Sequence, residues 1–542
     1  MTTTAPAIGT AHVRVEGRLK VEGRAHYAAE HNPDELVHAV VVQSTVAKGR
    51  VTHVGEVDGA LAVISHRNAP RLAAVDDREL AVFQDPAVHY RGQIVAVVVA
   101  DTLEAARAGA EQLQVDYAEE AHDVVLTPDH PGYYAPDGVN GGYATDSLIG
   151  DPDGALAAAH TAIDEIYATP ALHNNAMEPH ACVAQWLDDR LIVNDSTQGV
   201  WAMRNTLAEI FGLDHEHVSV HSPHVGGGFG SKGTIRPHTV VAALAAKELE
   251  RPVKLVVTRR QMYAFTGYRT PTIHRVRLGA DADGHITAVS HEAYSQSSQL
   301  KEFTEQSATP TRVMYAGEHR RTTHRMAQLD VSSPSWMRAP GETPGMFALE
   351  SAMDELALAL GMDPVELRIA NDPPRHPESG KDWSSRNLVA CLREGAERFG
   401  WSGRADLPPG AGYGVAASMY PAYRAPGWAH AQRESDGSVT VRIAAADIGT
   451  GARTALTQIA ADASGLTFDL VRVELGSSDF PRAGVAGGSM GTASWGSAVH
   501  GACRKLVAED ADEASYDTRD ELEALEDYAR HAFGAQFAAV HV

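Results

Sequence analysis

His224-Val225-Gly226-Gly227-Gly228-Phe229-Gly230-Ser231-Lys232 is the stretch on which the reading of this chain turns. It follows an alternating apolar segment, Val218-Ser219-Val220-His221, and precedes a helical one, Thr239 to Glu250, so it reads as strand, glycine loop and helix in succession. Three consecutive glycines plus Gly230 free the backbone for positive φ and let a ligand approach its N–H groups closely. Such a loop cradles anions, because its amides and the positive end of the following helix both favour phosphate. A single glycine cluster would read as a turn. Two further glycine-rich segments, Asp447-Ile-Gly-Thr-Gly451 and Ala486-Gly487-Gly488-Ser489-Met-Gly491-Thr492-Ala-Ser494, each lead into a helical pattern and shift the balance towards a large phosphorylated ligand gripped from several sides.

Composition narrows the classes. The 542 residues can bury several cores, and length alone suggests roughly three or four domains. With 46 Lys plus Arg against 70 Asp plus Glu, the net charge of -24 disfavours nucleic acid and anionic membrane as partners. The first ten residues lack a charged region followed by an apolar core, and no apolar run reaches membrane-spanning length, so the expected location is the cytoplasm. Cys182, Cys391 and Cys503 are far apart in sequence, which argues against a disulfide framework and against iron–sulfur ligation within this chain.

Along the chain, residues 11–145 read as a self-contained α/β unit. Ile94 to Ala100 is apolar on both faces, hence a buried strand; Asp101-Thr-Leu-Glu104 is a capping pattern for a helix to about Gln114; Val115 to Tyr117 returns as a strand. The turn-rich Asp129–Gly142 segment carries the boundary. A second unit spans 150–385 and a third 395–542. Phe347 to Gly361 is an amphipathic helix ending in glycine, and Asp363-Pro-Val-Glu366 caps another. Glu509 to Asp527 reads as an acidic, solvated spacer, and Phe533 to Val542 as a strand.

Two other readings of the chemistry compete. His173-Asn-Asn-Ala-Met-Glu178-Pro-His180 offers two histidines and a carboxylate, but Pro179 interrupts it and the spacing matches neither HExxH nor a facial triad, so a loop packed under an active site is favoured over a metal site. Gly228-Phe-Gly-Ser-Lys-Gly233 formally satisfies GxGxxG, with Arg259-Arg260 beyond the next strand, the pattern of an NAD(P)-binding dehydrogenase. Glu248, twenty residues on, falls inside the helical stretch rather than at a strand end, which weakens that reading.

A set of motifs in fixed order carries a resemblance: Gly92-Gln93 before the buried strand, Met177-Glu178-Pro179-His180, Thr197-Gln198, Gly226 to Lys232, Met337-Arg338-Ala-Pro-Gly, Glu355-Leu356, Asp363-Pro-Val-Glu-Leu-Arg368 and Gly487-Gly-Ser. Over residues 10–505 the chain resembles the molybdenum-binding large subunit of the xanthine dehydrogenase/aldehyde oxidase family, with a likeness to bacterial aldehyde-oxidising subunits. The resemblance implies an α/β (α+β) chain, a hammerhead domain followed by two molybdopterin-binding domains, the last incomplete. It implies molybdenum carried by molybdopterin cytosine dinucleotide with no protein ligand to the metal, and oxidation of an aldehyde or N-heteroaromatic substrate with water-derived oxygen. Iron–sulfur and FAD subunits are the implied partners. By the same resemblance Gln198 orients the molybdenum oxo group, Gly227, Gly228, Phe229 and Gly230 form the loop beneath the metal, Arg338 faces the pterin, and Gly487, Gly488 and Ser489 hold the dinucleotide.

Departures from the family pattern qualify this. Met337 and Ala339 flank Arg338, without the cysteine of the carbon monoxide dehydrogenase branch, and Gly233 stands where purine-oxidising relatives carry glutamate. The family's general base sits in a Gly-x-Gly-Glu segment near the carboxyl end; here the Gly-Glu pairs are Gly55-Glu56, Gly317-Glu318 and Gly341-Glu342, none in that context. The base is therefore unknown from sequence. The expectation is weak or no activity of the chain alone, restored when a carboxyl-terminal piece bearing that segment is supplied, a separate carboxyl-terminal polypeptide being one source. A non-catalytic cofactor-holding or assembly subunit is the alternative.

Overall fold

The computed structural model describes residues 6–73, 75–522 and 527–541. Its centre is a seven-stranded sheet in the order Val218–His221, Arg190–Asp195, Ala181–Leu187, Val253–Val256, Val37–Gln43, Ile94–Ala100, Ala62–Ser65. All seven residues of Ile94–Ala100 are buried, as a strand apolar on both faces requires when it is paired on both edges. Thr102, rather than Asp101, caps the next helix, Leu103–Gln112, by accepting a hydrogen bond from the Ala105 amide.

This sheet corrects the expectation of a self-contained unit at 11–145. Val37 pairs with Val253, His38 with Lys254 and Ala39 with Leu255 in parallel register, so amino-terminal strands and strands of the second region share one sheet and one core. The helix Pro237–Leu249 lies on that sheet, with every residue from Pro237 to Ala246 buried. Its Ala/Val/Leu surface is apolar all round, and Pro237 starts it at no hydrogen-bonding cost.

A five-stranded sheet, ordered Ser147–Ile149, His319–Leu329, Ile286–Ser298, Thr272–Ala280, Thr161–Thr169, packs against the helix Glu342–Leu360. That helix begins five residues before the expected Phe347, because Gly341 at φ +82° turns the chain into it and Pro344 still falls in the tolerant first turn. It ends at Gly361 in the left-handed region, and Asp363 caps its successor through the Val365 amide, both as expected.

In the third region a four-stranded sheet, Val471–Glu474, Val439–Arg442, Trp428–Arg433, Glu513–Asp517, is covered by the helices Ala452–Ser464 and Gly491–Ala508. Glu513–Asp517 belongs to the stretch read as an acidic spacer, and that reading is overturned here. Ala514 is buried opposite Ala431 and Tyr516, opposite Ala429, packs against the core, while Glu513 stays in solvent, so alternation along the strand is enough at a sheet edge. Residues 523–526 of that stretch lie outside the described residues. The last strand, His531–His541, pairs with Ala411–Pro421 through eleven antiparallel positions.

Candidate functional site

The glycine loop leaves the central sheet after His221 and is held from every side. Gly226 N donates to Glu178 Oε2 (2.7 Å), Gly230 N to Gln198 Oε1 (2.9 Å), and Arg338 N to Phe229 O (2.9 Å), which also accepts from Asn174 Nδ2 (2.7 Å). Two glycines are dictated by space. A Cβ on Gly228 would lie 2.3 Å from Gln198 Oε1, and one on Gly230, at φ +107°, 2.4 Å from the Trp336 carbonyl. Phe229 itself sits at φ +54° and is 43% exposed, a strained conformation that the bonds to its carbonyl over-determine. Among the described residues the amides of Gly227, Gly228 and Phe229 donate to no protein group, so three adjacent N–H groups remain for a ligand.

Gln198 follows the strand Arg190–Asp195 and is 2% exposed. Its backbone N donates to Lys232 O (2.8 Å) and its backbone O accepts from Ala486 N (2.8 Å). Its side chain accepts from Gly230 and donates through Nε2 to Ala486 O (2.6 Å). One amide therefore ties the first glycine loop to Ala486, immediately before Gly487-Gly488-Ser489. Its second N–H has no protein acceptor among the described residues. In the 487–489 loop Gly488 and Ser489 both have positive φ, and the helix Gly491–Ala508 follows at once.

Arg338 lies in the turn that closes over Phe229. Arg269 Nη2 donates to the carbonyls of Met337 (2.6 Å) and Arg338 (2.5 Å), fixing the turn, and Ala339 takes φ +56°. The Arg338 guanidinium has no hydrogen-bond or ion-pair partner among the described residues, in a chain of strongly negative charge.

The sequence reading missed the supports beneath this site. Lys232, at the end of the loop, is buried and donates to Glu178 O (3.0 Å) and Oε2 (2.8 Å). Burial pulls the Lys232 ammonium down and the Glu178 charge pushes it back up. A lysine inside a glycine loop needing an anion was the available signal. His180 points at Ser231 O (3.4 Å), and burial holds it well below the usual imidazole range; His173 packs against the rings of Tyr263 and Tyr268. The 173–180 segment thus packs beneath the glycine loop, and among the described residues no group of three or more His, Cys, Asp or Glu is placed to hold a metal ion. The helix expected from Thr239 starts two residues earlier, at Pro237, and residues 231–236 separate it in sequence from Gly230. Glu248 lies on that helix, away from any strand end, and the dinucleotide-fold reading loses its geometry.

Among the described residues no helix is long and apolar enough to cross a membrane. Residues 136–372 and 394–541 each match the description "Molybdopterin cofactor-binding domain", and residues 22–121 match "Aldehyde oxidase and xanthine dehydrogenase, a/b hammerhead domain". The chain is 38% identical over 516 residues to the aldehyde oxidoreductase molybdenum-binding subunit PaoC of Escherichia coli K12, covering 92% of this chain and 70% of that one. It is 26% identical to the nicotine 6-hydroxylase large subunit of Paenarthrobacter nicotinovorans, over 88% of this chain and 64% of that one. The aldehyde oxidoreductase of Desulfovibrio gigas has the same fold, with a TM-score of 0.82 and 23% identity over 99% of this chain. The chain spans 64% of that structure's length. On the sequence match to PaoC and the three domain matches, this chain belongs to the molybdenum-binding large subunits of the xanthine dehydrogenase/aldehyde oxidase family.

Proposed function

We propose that the chain is the cofactor-binding subunit of a molybdenum hydroxylase that oxidises an aldehyde or an N-heteroaromatic compound with oxygen taken from water. The observation that carries this is the row of unclaimed amides at Gly227, Gly228 and Phe229, latched by Gln198 to the second glycine loop. That cradle, which a Cβ at Gly228 would fill, fits a ligand that needs close backbone approach and negative charge. Gln198, Gly227, Gly228, Phe229 and Gly230 would hold the metal end of the cofactor, Arg338 the pterin, and Gly487, Gly488 and Ser489 the phosphates of a cytosine dinucleotide form. When bound, the cofactor supplies the two-electron oxidation itself.

The chain's own part is positioning. Gln198 keeps one N–H for a ligand oxygen, and the half-exposed Phe229 ring lies against Gly227 in the same loop. The Arg338 guanidinium supplies a fixed positive charge from a turn that Arg269 immobilises. Cys182 and Cys503 are buried and Cys391 lies elsewhere, so we assign electron removal to separate iron–sulfur and FAD subunits and place the complex in the cytoplasm. The match to nicotine 6-hydroxylase keeps N-heteroaromatics beside aldehydes as the substrate class. The test is metal and nucleotide analysis of the purified chain. Molybdenum with cytidine monophosphate released by acid hydrolysis is expected; a protein that binds nicotinamide nucleotide and no molybdenum would overturn the reading.

A further inference from the structure

Beside the Gln198–Ala486 latch lies a cleft of about 490 Å³ that the positioning roles above do not use. Two of its walls come from the segments that the latch joins. Trp201 stands in the first turn of the helix Val200–Phe211, three residues after Gln198, and Arg482 comes four residues before Ala486. The strand Trp428–Arg433 contributes Trp428, whose backbone N donates to Arg482 O (2.9 Å). The volume falls within the range of small-molecule sites, about 300–1,000 Å³. Trp428 is 44% exposed and Phe480 is half-buried, so the cleft presents aromatic surface to an incoming group.

The charges lining the cleft do not balance. Arg204, Arg482 and Arg519 share it with Asp479 and Asp517. Both oxygens of Asp517 are taken by Arg519, which donates through its backbone N to Oδ1 (3.0 Å) and through Nε to Oδ2 (2.8 Å). Asp479 Oδ1 accepts from Ser219 Oγ (2.9 Å). Burial pulls the Arg204 guanidinium down and the Asp479 charge pushes it back up, while Arg204 Nη1 donates to Ser478 O (2.9 Å). Arg482 is left over. Among the described residues its guanidinium makes no hydrogen bond or ion pair, and it lies exposed over the Trp201 ring, 4.8 Å from the centroid. Arg204 sits over the same ring at 5.2 Å. Two guanidiniums converging on one indole repel each other, and a surplus of one positive charge here is the reverse of a chain whose net charge is -24. An anion at Arg482 relieves that repulsion.

A free guanidinium beside exposed indole recognises a group that is both flat and anionic. Its fork pairs with a carboxylate through two N–H groups, and tryptophan offers a face on which an aromatic ring stacks. We infer that this cleft is a second ligand site, in which an aromatic carboxylate lays its ring on Trp428 and sets its charged end on Arg482. An aromatic carboxylate is the class of product that an aromatic aldehyde gives on oxidation. The inference therefore rests on the proposed function for the origin of the ligand, and on the cleft alone for its chemistry. A pyrimidine nucleotide also combines a ring with negative charge, and it forms the competing arm of the test.

Calorimetric titration of benzoate into the protein as purified tests the site, with circular dichroism to show that each variant is folded. The wild type is expected to take up benzoate saturably. Benzyl alcohol keeps the ring without the charge and should bind at least roughly tenfold more weakly. Arg482→Gln should raise the benzoate dissociation constant at least about tenfold, and Arg482→Lys should restore part of the affinity. Trp428→Ala should weaken binding about three- to tenfold, and Trp428→Phe less. An unchanged dissociation constant in Arg482→Gln, benzyl alcohol bound as tightly as benzoate, or cytidine monophosphate bound more tightly than benzoate overturns the inference. The titration needs neither turnover nor molybdenum, whose absence would overturn the proposed function and leave this result readable.

Discussion

The loop 226–230 and the loop 487–489 are both short, glycine-rich and tied together through Gln198, yet they are built in opposite ways. The first is bolted by side chains and backbone of distant residues: Glu178, Gln198, Asn174 and Arg338 each hold one of its amides or carbonyls. The second is shaped by its own backbone, with Gly487 N on Val485 O (2.8 Å), Met490 N on Gly487 O (3.2 Å), and Ser489 exposed. Rigidity made by tertiary contacts binds without an ordering cost, whereas a loop held locally adjusts when its ligand arrives. Glycine content does not separate the two; the partners of the loop do.

The largest effect should come from setting the same kind of change in both loops. Gly228→Val drives a side chain into Gln198, where a Cβ alone already comes within 2.3 Å, and should lower molybdenum content at least roughly tenfold with secondary structure by circular dichroism retained. Gly487→Ala meets nothing nearer than Val485 Cγ1 at 3.6 Å and should retain at least about half of the metal. Equal losses in both would erase the contrast.

Next in size is the support under the first loop. Lys232→Met leaves the partly buried Glu178 without its cation and should destabilise the protein by about 2–4 kcal/mol in urea unfolding. A change under about 1 kcal/mol would show that the loop is not clamped from below.

Behind the Arg338 turn the effect depends on pH. Burial raises the Glu342 carboxyl from 4.5 to about 7 in the folded state. Its contribution to stability is therefore full below the unfolded value and is lost as pH rises through 7. Glu342→Gln removes this titration, so its stability relative to wild type should increase between about pH 5 and about pH 8, by on the order of 1–3 kcal/mol. A difference independent of pH would place the ionisation elsewhere.

The smallest effect is expected in the second loop. Ser489→Gly at φ +52° trades relief of a left-handed conformation against added freedom in the unfolded chain, and its Tm should correspond to less than about 1 kcal/mol either way. A larger loss would mean that the serine side chain, not the backbone, holds this loop.

Legibility followed range. The strand Val218–His221, the all-buried Ile94–Ala100, the left-handed glycine end at Gly361 and the Asp363 cap were readable because each depends on residues within a turn or two. The spacer at 509–527 misled because its charge was visible, whereas the strand it pairs with, Trp428–Arg433, is remote in sequence. The self-contained first unit misled for the same reason: a parallel pairing of Val37 with Val253 leaves no local mark.

By itself the sequence determined the local elements, the order of the glycine loops and, through ordered motifs, the family. Only the tertiary structure decided that Gln198 latches residues 32 and 288 positions away, that Lys232 is neutralised by Glu178, and that buried Glu305 accepts from Gly341 N with Arg269 4.0 Å away. Backbone propensity acts over a few residues and is written along the chain, but ion pairs and loop clamps depend on through-space distance and on exclusion of water, which exist only once the core has closed.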